Sequence, residues 1–306
     1  MLSHPTMSTA FLFPGQGAQT IGMGRDLAAS APEAKSVFDK ANDILGYDLA
    51  NICFEGPVEK LNSTVYSQPA LFVAAVAALA VMNEKSTDVV ESCRYTAGLS
   101  LGEYTALFFA GAIDFGDALR VVAERGAAMQ AASDASPSGM VSILGLNREP
   151  IEQLCRDCSQ GEVLQVANVL CQGNIVVSGA KAACGRIETA AMAAGAMKTI
   201  PLAVAGAFHT PLMQPAVDRL AATLEKVKLR QPRIPVVSNV DAKPHDNPNE
   251  IRRLLVQQLV SPVLWEDSMR WLLAQGTNRV YEVGPGRVLR SLMKRIDRKV
   301  ECLGAE

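Results

Sequence analysis

The stretch Tyr95-Thr96-Ala97-Gly98-Leu99-Ser100-Leu101-Gly102-Glu103-Tyr104 carries a serine between two glycines, where a predicted strand meets a predicted helix. In such a Gly-x-Ser-x-Gly turn the chain reverses so sharply that the residues two positions before and after the serine must be small. The Ser100 hydroxyl then projects at the helix N-terminus, and the Leu101 N–H points to where an oxyanion would form. The pattern predicts that Ser100 is a nucleophile that forms a covalent acyl-serine. The alternative is an ordinary strand-to-helix turn with a capping serine.

Around this turn, predicted strands alternate with predicted helices. This alternation indicates an α/β fold: a large α/β-hydrolase-like domain with a mostly parallel sheet, built from residues 1–137 and 207–306 and closed by a helix after Gly286. Between the two parts the predicted order is β-α-β-β-α-β. We therefore expect residues 138–206 to form a small inserted ferredoxin-like subdomain.

Composition excludes several classes of protein. The 306 residues carry a formal net charge of -2, which gives no overall attraction to nucleic acid. The longest apolar stretch, Pro69–Met82, is too short to span a bilayer, so we expect a buried helix and no membrane association. The first eight residues do not resemble a signal peptide, and we expect a frayed tail there and a cytoplasmic location.

The chain has seven cysteines, an odd number that fits a reducing compartment better than a disulfide framework. Cys155 and Cys158 have CxxC spacing, but the sequence offers no second pair and no nearby histidine. We therefore expect these thiols to pack in the interior and predict neither a metal site nor a cofactor.

A nucleophilic serine needs a base, and the sequence contains three histidines. His4 lies in the N-terminal tail, and His245 lies in a polar, proline-rich loop. His209 follows an apolar run and small residues, and precedes the helix predicted from Pro211. By elimination His209 is the predicted base; a satisfied polar histidine is the alternative.

Four motifs occur in a fixed order along the chain: Phe13-Pro14-Gly15-Gln16-Gly17-Ala18-Gln19, Gly98-Leu99-Ser100-Leu101-Gly102-Glu103-Tyr104, Ala207-Phe208-His209 and Glu282-Val283-Gly284-Pro285-Gly286. Together they resemble the malonyl-CoA:acyl carrier protein transacylase family over nearly the whole chain. The resemblance implies a malonyl group carried on Ser100, with His209 as base. It implies malonyl-CoA and an acyl carrier protein as partners and a role in fatty acid biosynthesis, and we expect a monomer.

The resemblance also assigns roles by position. Gln16 matches the residue whose backbone N–H joins that of Leu101 in an oxyanion hole. Arg125 matches the arginine that binds the free malonyl carboxylate, a role that suits a planar guanidinium. By itself Arg125 would be interpreted as a solvated helix charge.

Further matches concern the walls of the site. Gln258 matches the residue whose main-chain carbonyl orients the histidine, while Gln68 and Asn168 match active-site positions of less defined role. Phe208 matches the residue type that goes with malonyl rather than methylmalonyl, since its ring leaves little room for a substituent on the α-carbon. Glu103 is expected to stabilise the helix dipole rather than to act as a catalytic acid.

The sequence departs from the family pattern at two places. Leu99 stands where the family usually has histidine, and we expect altered packing there with activity retained. The stretch Leu170-Cys171-Gln172-Gly173-Asn174 also differs, which affects expected contacts from the small subdomain.

Other functions remain open at the level of sequence. They are a trans-acting acyltransferase of a polyketide pathway, a serine thioesterase or hydrolase, and a non-catalytic carrier-binding homologue. A basic cluster near the C-terminus, in which Arg287 and Arg290 stand first, is a candidate docking surface for an acidic carrier, together with Lys181 or Arg186; a solvated helix face is the alternative.

Overall fold

The computed structural model describes residues 8–306; His4 and most of the predicted tail lie outside them. The described residues contain nine strands. These are β1 (Thr9–Phe13), β2 (Cys93–Gly98), β3 (Ser138–Leu144), β4 (Leu164–Cys171), β5 (Asn174–Ala180), β6 (Lys198–Pro201), β7 (Val236–Val237), β8 (Arg279–Val283) and β9 (Glu301–Ala305).

The same residues contain fourteen α-helices and one 3-10 helix, Pro211–Met213. The α-helices are α1 (Arg25–Ser30), α2 (Pro32–Leu45), α3 (Leu49–Phe54), α4 (Val58–Asn62), α5 (Thr64–Lys85), α6 (Thr87–Glu91), α7 (Gly102–Phe109), α8 (Phe115–Asp134), α9 (Arg148–Ser159), α10 (Lys181–Ala193), α11 (Gln214–Leu224), α12 (Pro248–Gln258), α13 (Trp265–Ala274) and α14 (Val288–Ile296).

The larger sheet has the order β7-β2-β1-β8-β9, and every neighbouring pair in it is parallel. All five residues of β1 are buried, as expected for a central strand covered by helices on both faces. Since all five strands run the same way, their carboxyl ends lie along one edge, and the loops that leave this edge are brought together.

The smaller sheet has the order β4-β5-β3-β6 and is antiparallel throughout. With α9 and α10 between its strands, this order is that of a ferredoxin-like fold. The smaller sheet and these two helices enclose a separate apolar cluster, to which Val141, Ile143 and Ile187 belong. The predicted fold class is confirmed, while the boundaries 138 and 206 stay a prediction.

The predicted apolar helix lies within α5, where Ser67–Leu79 are all buried. Among the described residues, α5 is the one helix long and apolar enough to cross a membrane, and 78% of its most apolar window is buried inside the protein. Its apolar side chains are therefore accounted for by the interior of the larger domain, as predicted.

One local prediction is wrong: a fifth parallel strand, β9, follows the helix that was expected to close the domain. Its glycine and its place at the sheet edge weaken its sequence signal. Elsewhere, α1 and α2 are separated at Ala31, which precedes Pro32 and adopts an extended conformation. Asp114 stands at the N-cap of α8, where its carboxylate binds Arg230 and accepts no backbone N–H of the helix.

Candidate active site

The turn that carries Ser100 leaves the carboxyl end of β2 and enters α7. Ser100 has a φ of 50°, a left-handed conformation that is costly for a residue with a side chain. A Cβ on Gly98 would overlap the backbone of Gly102, and one on Gly102 would overlap the carbonyl of Phe13. Gly98 is therefore required by the tightness of the turn itself, and Gly102 by the close approach of the turn to the end of β1.

A side chain from a different loop holds this strained turn. Asn239, which follows β7, accepts a hydrogen bond from the Ser100 N–H at 2.6 Å and donates to the Gly98 carbonyl at 2.8 Å. The sequence interpretation missed Asn239. A polar residue directly after a buried parallel strand was the available signal, because such residues collect at the carboxyl edge of the sheet.

Ser100 and His209 form a hydrogen-bonded pair. The Ser100 Oγ lies 2.9 Å from the His209 Nε2, and the His209 Nδ1 lies 2.8 Å from the main-chain oxygen of Gln258. A carbonyl can only accept, so Nδ1 carries the proton and Nε2 is left to accept the serine hydroxyl proton. The pair has the geometry of a nucleophile and its base, and the Gln258 carbonyl takes the position of the third member of a catalytic triad.

His209 also lies in a left-handed conformation, with a φ of 62°, and is 3% exposed. Its main-chain carbonyl accepts a hydrogen bond from the Gln165 Nε2 at 3.0 Å, so β4 of the smaller sheet helps to hold it. Burial, and secondarily the nearby Arg125, lowers the pKa of His209 to about 4. The imidazole is therefore neutral at pH 7 and able to accept a proton.

Arg125 lies on α8 with 1% of its surface exposed. Its guanidinium donates to the Gln68 Oε1 at 2.8 Å, to the Ser100 Oγ at 3.0 Å and to the Gln258 Oε1 at 2.9 Å. All of these acceptors are neutral, and its Nε has no hydrogen-bond partner. Within residues 8–306 no carboxylate forms an ion pair with Arg125, so the site holds a buried cation ready for an anion.

A cleft of about 470 Å³ opens above these groups. It brings together six of the predicted site residues, which are Gln16, Ser100, Arg125, Asn168, Phe208 and His209. Gln68 and Gln258 do not line the cleft, but both contact Arg125 from behind it. Leu99 lines the cleft and packs against the apolar cluster that surrounds Trp265.

Two N–H groups beside the serine are candidate oxyanion donors. Among residues 8–306, neither the Gln16 N–H nor the Leu101 N–H donates to a protein acceptor, although both belong to tight turns. The Gln16 side chain is held by Thr64, whose Oγ1 accepts from its Nε2 at 3.3 Å. Leu101 is 1% exposed and does not line the cleft, so its side chain belongs to the interior.

Glu103 has more contacts than a helix-dipole role requires. It is 4% exposed, and its Oε2 accepts hydrogen bonds from the Gln258 Nε2 at 2.7 Å and the Asn239 N–H at 3.1 Å. Burial raises the pKa of Glu103 to about 7. The sequence interpretation missed this buried carboxyl because its partners come from residues more than a hundred positions away.

Parts of the predicted docking surface are engaged elsewhere. Arg290 forms an ion pair with buried Glu282 and donates to the Gly286 carbonyl, and Arg186 binds the end of α9 and Glu162. Arg287 is exposed, and its neighbour Val288 lines the active-site cleft.

Cys155 and Cys158 are buried free thiols whose pKa values are raised by desolvation.

The chain is similar in sequence to known proteins over most of its length. Residues 10–301 match the family model described as the acyl transferase domain. The chain is 44% identical, over 94% of its length and 92% of the relative, to the malonyl CoA-acyl carrier protein transacylase of Escherichia coli strain K12.

Two solved structures extend the comparison to the fold. The malonyl CoA-acyl carrier protein transacylase of Coxiella burnetii superposes with a TM-score of 0.94 at 38% identity, over 98% of this chain and 94% of that one. A chain from the complex of a type II PKS acyl-carrier protein with its malonyl-transacylase superposes with a TM-score of 0.93 at 42% identity, over 97% of this chain and 95% of that one.

Proposed function

This chain belongs to the acyl transferase domain family, and we propose that it transfers a malonyl group from malonyl-CoA to the phosphopantetheine thiol of an acyl carrier protein in fatty acid biosynthesis. The observation that carries the proposal is the buried Arg125, which has no carboxylate partner among the described residues and lies 3.0 Å from the Ser100 hydroxyl. A nucleophile next to such a cation suits an acyl group that ends in a free carboxylate.

The first half of the reaction acylates Ser100. His209 takes the hydroxyl proton at Nε2 as the Oγ attacks the thioester carbonyl of malonyl-CoA. The N–H groups of Gln16 and Leu101 receive the negative charge that develops on the carbonyl oxygen. When the tetrahedral intermediate collapses, the carbon–sulfur bond breaks and His209 returns its proton to the CoA thiolate.

The second half reverses these roles with a different thiol. The phosphopantetheine thiol of the carrier gives its proton to His209 and its sulfur attacks the carbonyl of the malonyl-serine. The bond between the Ser100 Oγ and the acyl carbon then breaks, and His209 returns the proton to the Oγ. His209 is neutral at the start of each half because its pKa is held near 4. The Gln258 carbonyl keeps the proton on Nδ1 and thereby orients the ring.

The walls of the cleft set the size of the acyl group. Phe208 is 5% exposed, precedes the base and lines the cleft together with Asn168. A ring at this position leaves little space for a substituent on the malonyl α-carbon. Gln68 accepts from the Arg125 Nη1, while the Nη2 donates to Ser100 and Gln258, and these contacts fix the direction of the guanidinium.

We also propose that the protein works as a cytoplasmic monomer and that residues 138–206 form a separate subdomain. The support for a reducing compartment is that all seven cysteines are free thiols. The support for the boundaries is that the antiparallel sheet lies wholly between Ser138 and Pro201 and has its own apolar cluster.

A polyketide pathway is the second candidate. The specific observation that favours it is the likeness, at 42% identity, to a chain of a type II PKS carrier protein complex. The chemistry on Ser100 would be the same and only the carrier would differ, so paired assays with the two classes of carrier separate the candidates.

Intact-mass spectrometry after incubation with malonyl-CoA tests the proposal. We expect a malonyl adduct on the wild-type chain and none on Ser100→Ala, since the mutation removes the only atom that carries the acyl group. Addition of a holo acyl carrier protein should then discharge the adduct onto the carrier thiol. Absence of any adduct would refute the enzyme function, and discharge into water regardless of carrier would identify a hydrolase.

A further inference from the structure

Glu103 lies in the first turn of α7, three residues after the nucleophile, yet it does not touch the cleft. Its carboxylate instead contacts the two residues that hold the catalytic groups from behind. These residues are Gln258, at the end of α12, and Asn239, after β7.

The contact with Gln258 determines which way the amide of that side chain faces. The Gln258 Nε2 donates to the Glu103 Oε2 at 2.7 Å and to the Ser100 carbonyl at 3.1 Å, while its Oε1 accepts from Arg125 at 2.9 Å. A carboxylate can only accept hydrogen bonds, so it selects the amide orientation in which the oxygen faces Arg125. The opposite orientation would set an NH₂ group against the guanidinium.

The contact with Asn239 acts on the nucleophile itself. The Glu103 Oε2 accepts from the Asn239 N–H at 3.1 Å, and the Asn239 side chain in turn pins the Ser100 N–H at 2.6 Å. One oxygen of Glu103 is therefore linked to the strained turn of Ser100 and, through Gln258, to both Arg125 and the main-chain carbonyl that orients His209.

We propose that Glu103 is a positioning residue whose ionised carboxylate keeps Arg125, His209 and Ser100 aligned through Gln258 and Asn239. The proposal rests on the proposed function, since it assigns Glu103 a part in the acylation of Ser100. A buried hydrogen-bond network of this kind acts as a unit, so the loss of its central acceptor is felt at each catalytic group.

The titration of Glu103 supplies a readout that a merely structural role would not move. Burial raises its pKa to about 7, and the charged and titratable groups that face it are Arg125, Tyr104 and, across a small cavity, His245. Below pH 7 the carboxyl is protonated and accepts more weakly from Gln258 and Asn239. We expect the acylation rate to fall as the pH falls through this value, although His209 remains neutral there.

The experiment measures the single-turnover rate of Ser100 acylation by malonyl-CoA between pH 5.5 and 8.5, by quenched-flow and intact mass. Glu103→Gln keeps the shape and one acceptor oxygen but loses the charge, and we expect about a 10-fold slower rate at pH 8 with no change of rate between pH 6 and 8. Glu282→Gln is the matched control: it also removes a fully buried carboxylate that accepts backbone N–H groups, at the start of α14 and away from Ser100.

Each outcome decides one question. A slow, pH-independent Glu103→Gln beside a Glu282→Gln that acylates like the wild type supports the proposal. A Glu103→Gln that acylates at the wild-type rate, or retains the wild-type pH profile, overturns it. If that variant does not fold, Glu103→Asp serves in its place, because it keeps the charge but is one methylene too short to reach both donors. A slowed rate that still falls at low pH supports the proposal. An unchanged rate overturns it. A wild-type chain that forms no malonyl adduct would instead refute the proposed function.

Discussion

Arg125 and Arg290 are both arginines on helices of the larger domain, but their surroundings are opposite. Arg290 binds Glu282, a fully buried carboxylate, and its side chain is 22% exposed. Arg125 is more deeply buried, yet its hydrogen-bond acceptors are amide and hydroxyl oxygens without charge.

The difference shows how an ordinary type of residue becomes part of a site. A buried charge without a partner is destabilising, and a protein normally compensates it with an opposite charge or avoids it. At the end of β8 the compensation is present, and the result is a stable turn between β8 and α14. In the cleft it is absent among the described residues, which leaves the charge available to a substrate carboxylate.

The largest effect should follow from loss of the uncompensated cation. We expect Arg125→Ala to lower kcat/KM for malonyl-CoA by about 100- to 5000-fold, because removal of one partner of a buried charge pair costs about 3–5 kcal/mol. Acetyl-CoA, which has no free carboxylate, is the control substrate and should lose far less. Equal losses for the two substrates would show that Arg125 supports the fold of the site rather than binding the carboxylate.

Loss of the compensated cation should act on stability instead. Arg290→Met leaves Glu282 buried without its ion pair, and we expect the free energy of unfolding in urea to fall by about 1–3 kcal/mol with kcat retained in the folded fraction. Arg279→Met is the matched control, since Arg279 pairs with Glu301 nearer the surface and should cost less than about 1 kcal/mol. Unchanged stability in Arg290→Met would contradict the comparison.

The smallest effect concerns Arg287, an exposed residue that precedes Val288, which lines the cleft. Arg287→Glu should raise the KM for an acidic carrier protein about fivefold, since like charges repel across a docking surface, and leave the KM for malonyl-CoA unchanged. Arg94→Glu, an exposed substitution near the start of β2 and so at the opposite edge of the sheet, is the control. A carrier KM that does not change would exclude Arg287 from docking.

Much of the fold could be predicted from short-range patterns. The alternation of strands and helices and the β-α-β-β-α-β order follow from local periodicity and turn residues, which depend on neighbours within a few positions. The closing strand β9 could not be predicted, because what makes it a strand is the exposed edge of β8 beside it.

The sequence by itself determined the chemical groups: a serine held between two glycines that cannot carry a side chain, and a histidine chosen from three. Only the tertiary structure decided that Arg125 is buried with no counter-ion among residues 8–306, that Asn239 pins the serine turn and that Glu103 faces Gln258 rather than solvent. The physical reason is that burial and hydrogen-bond partnership depend on which distant segments meet. Those segments meet where the parallel strands end together at one edge of the sheet.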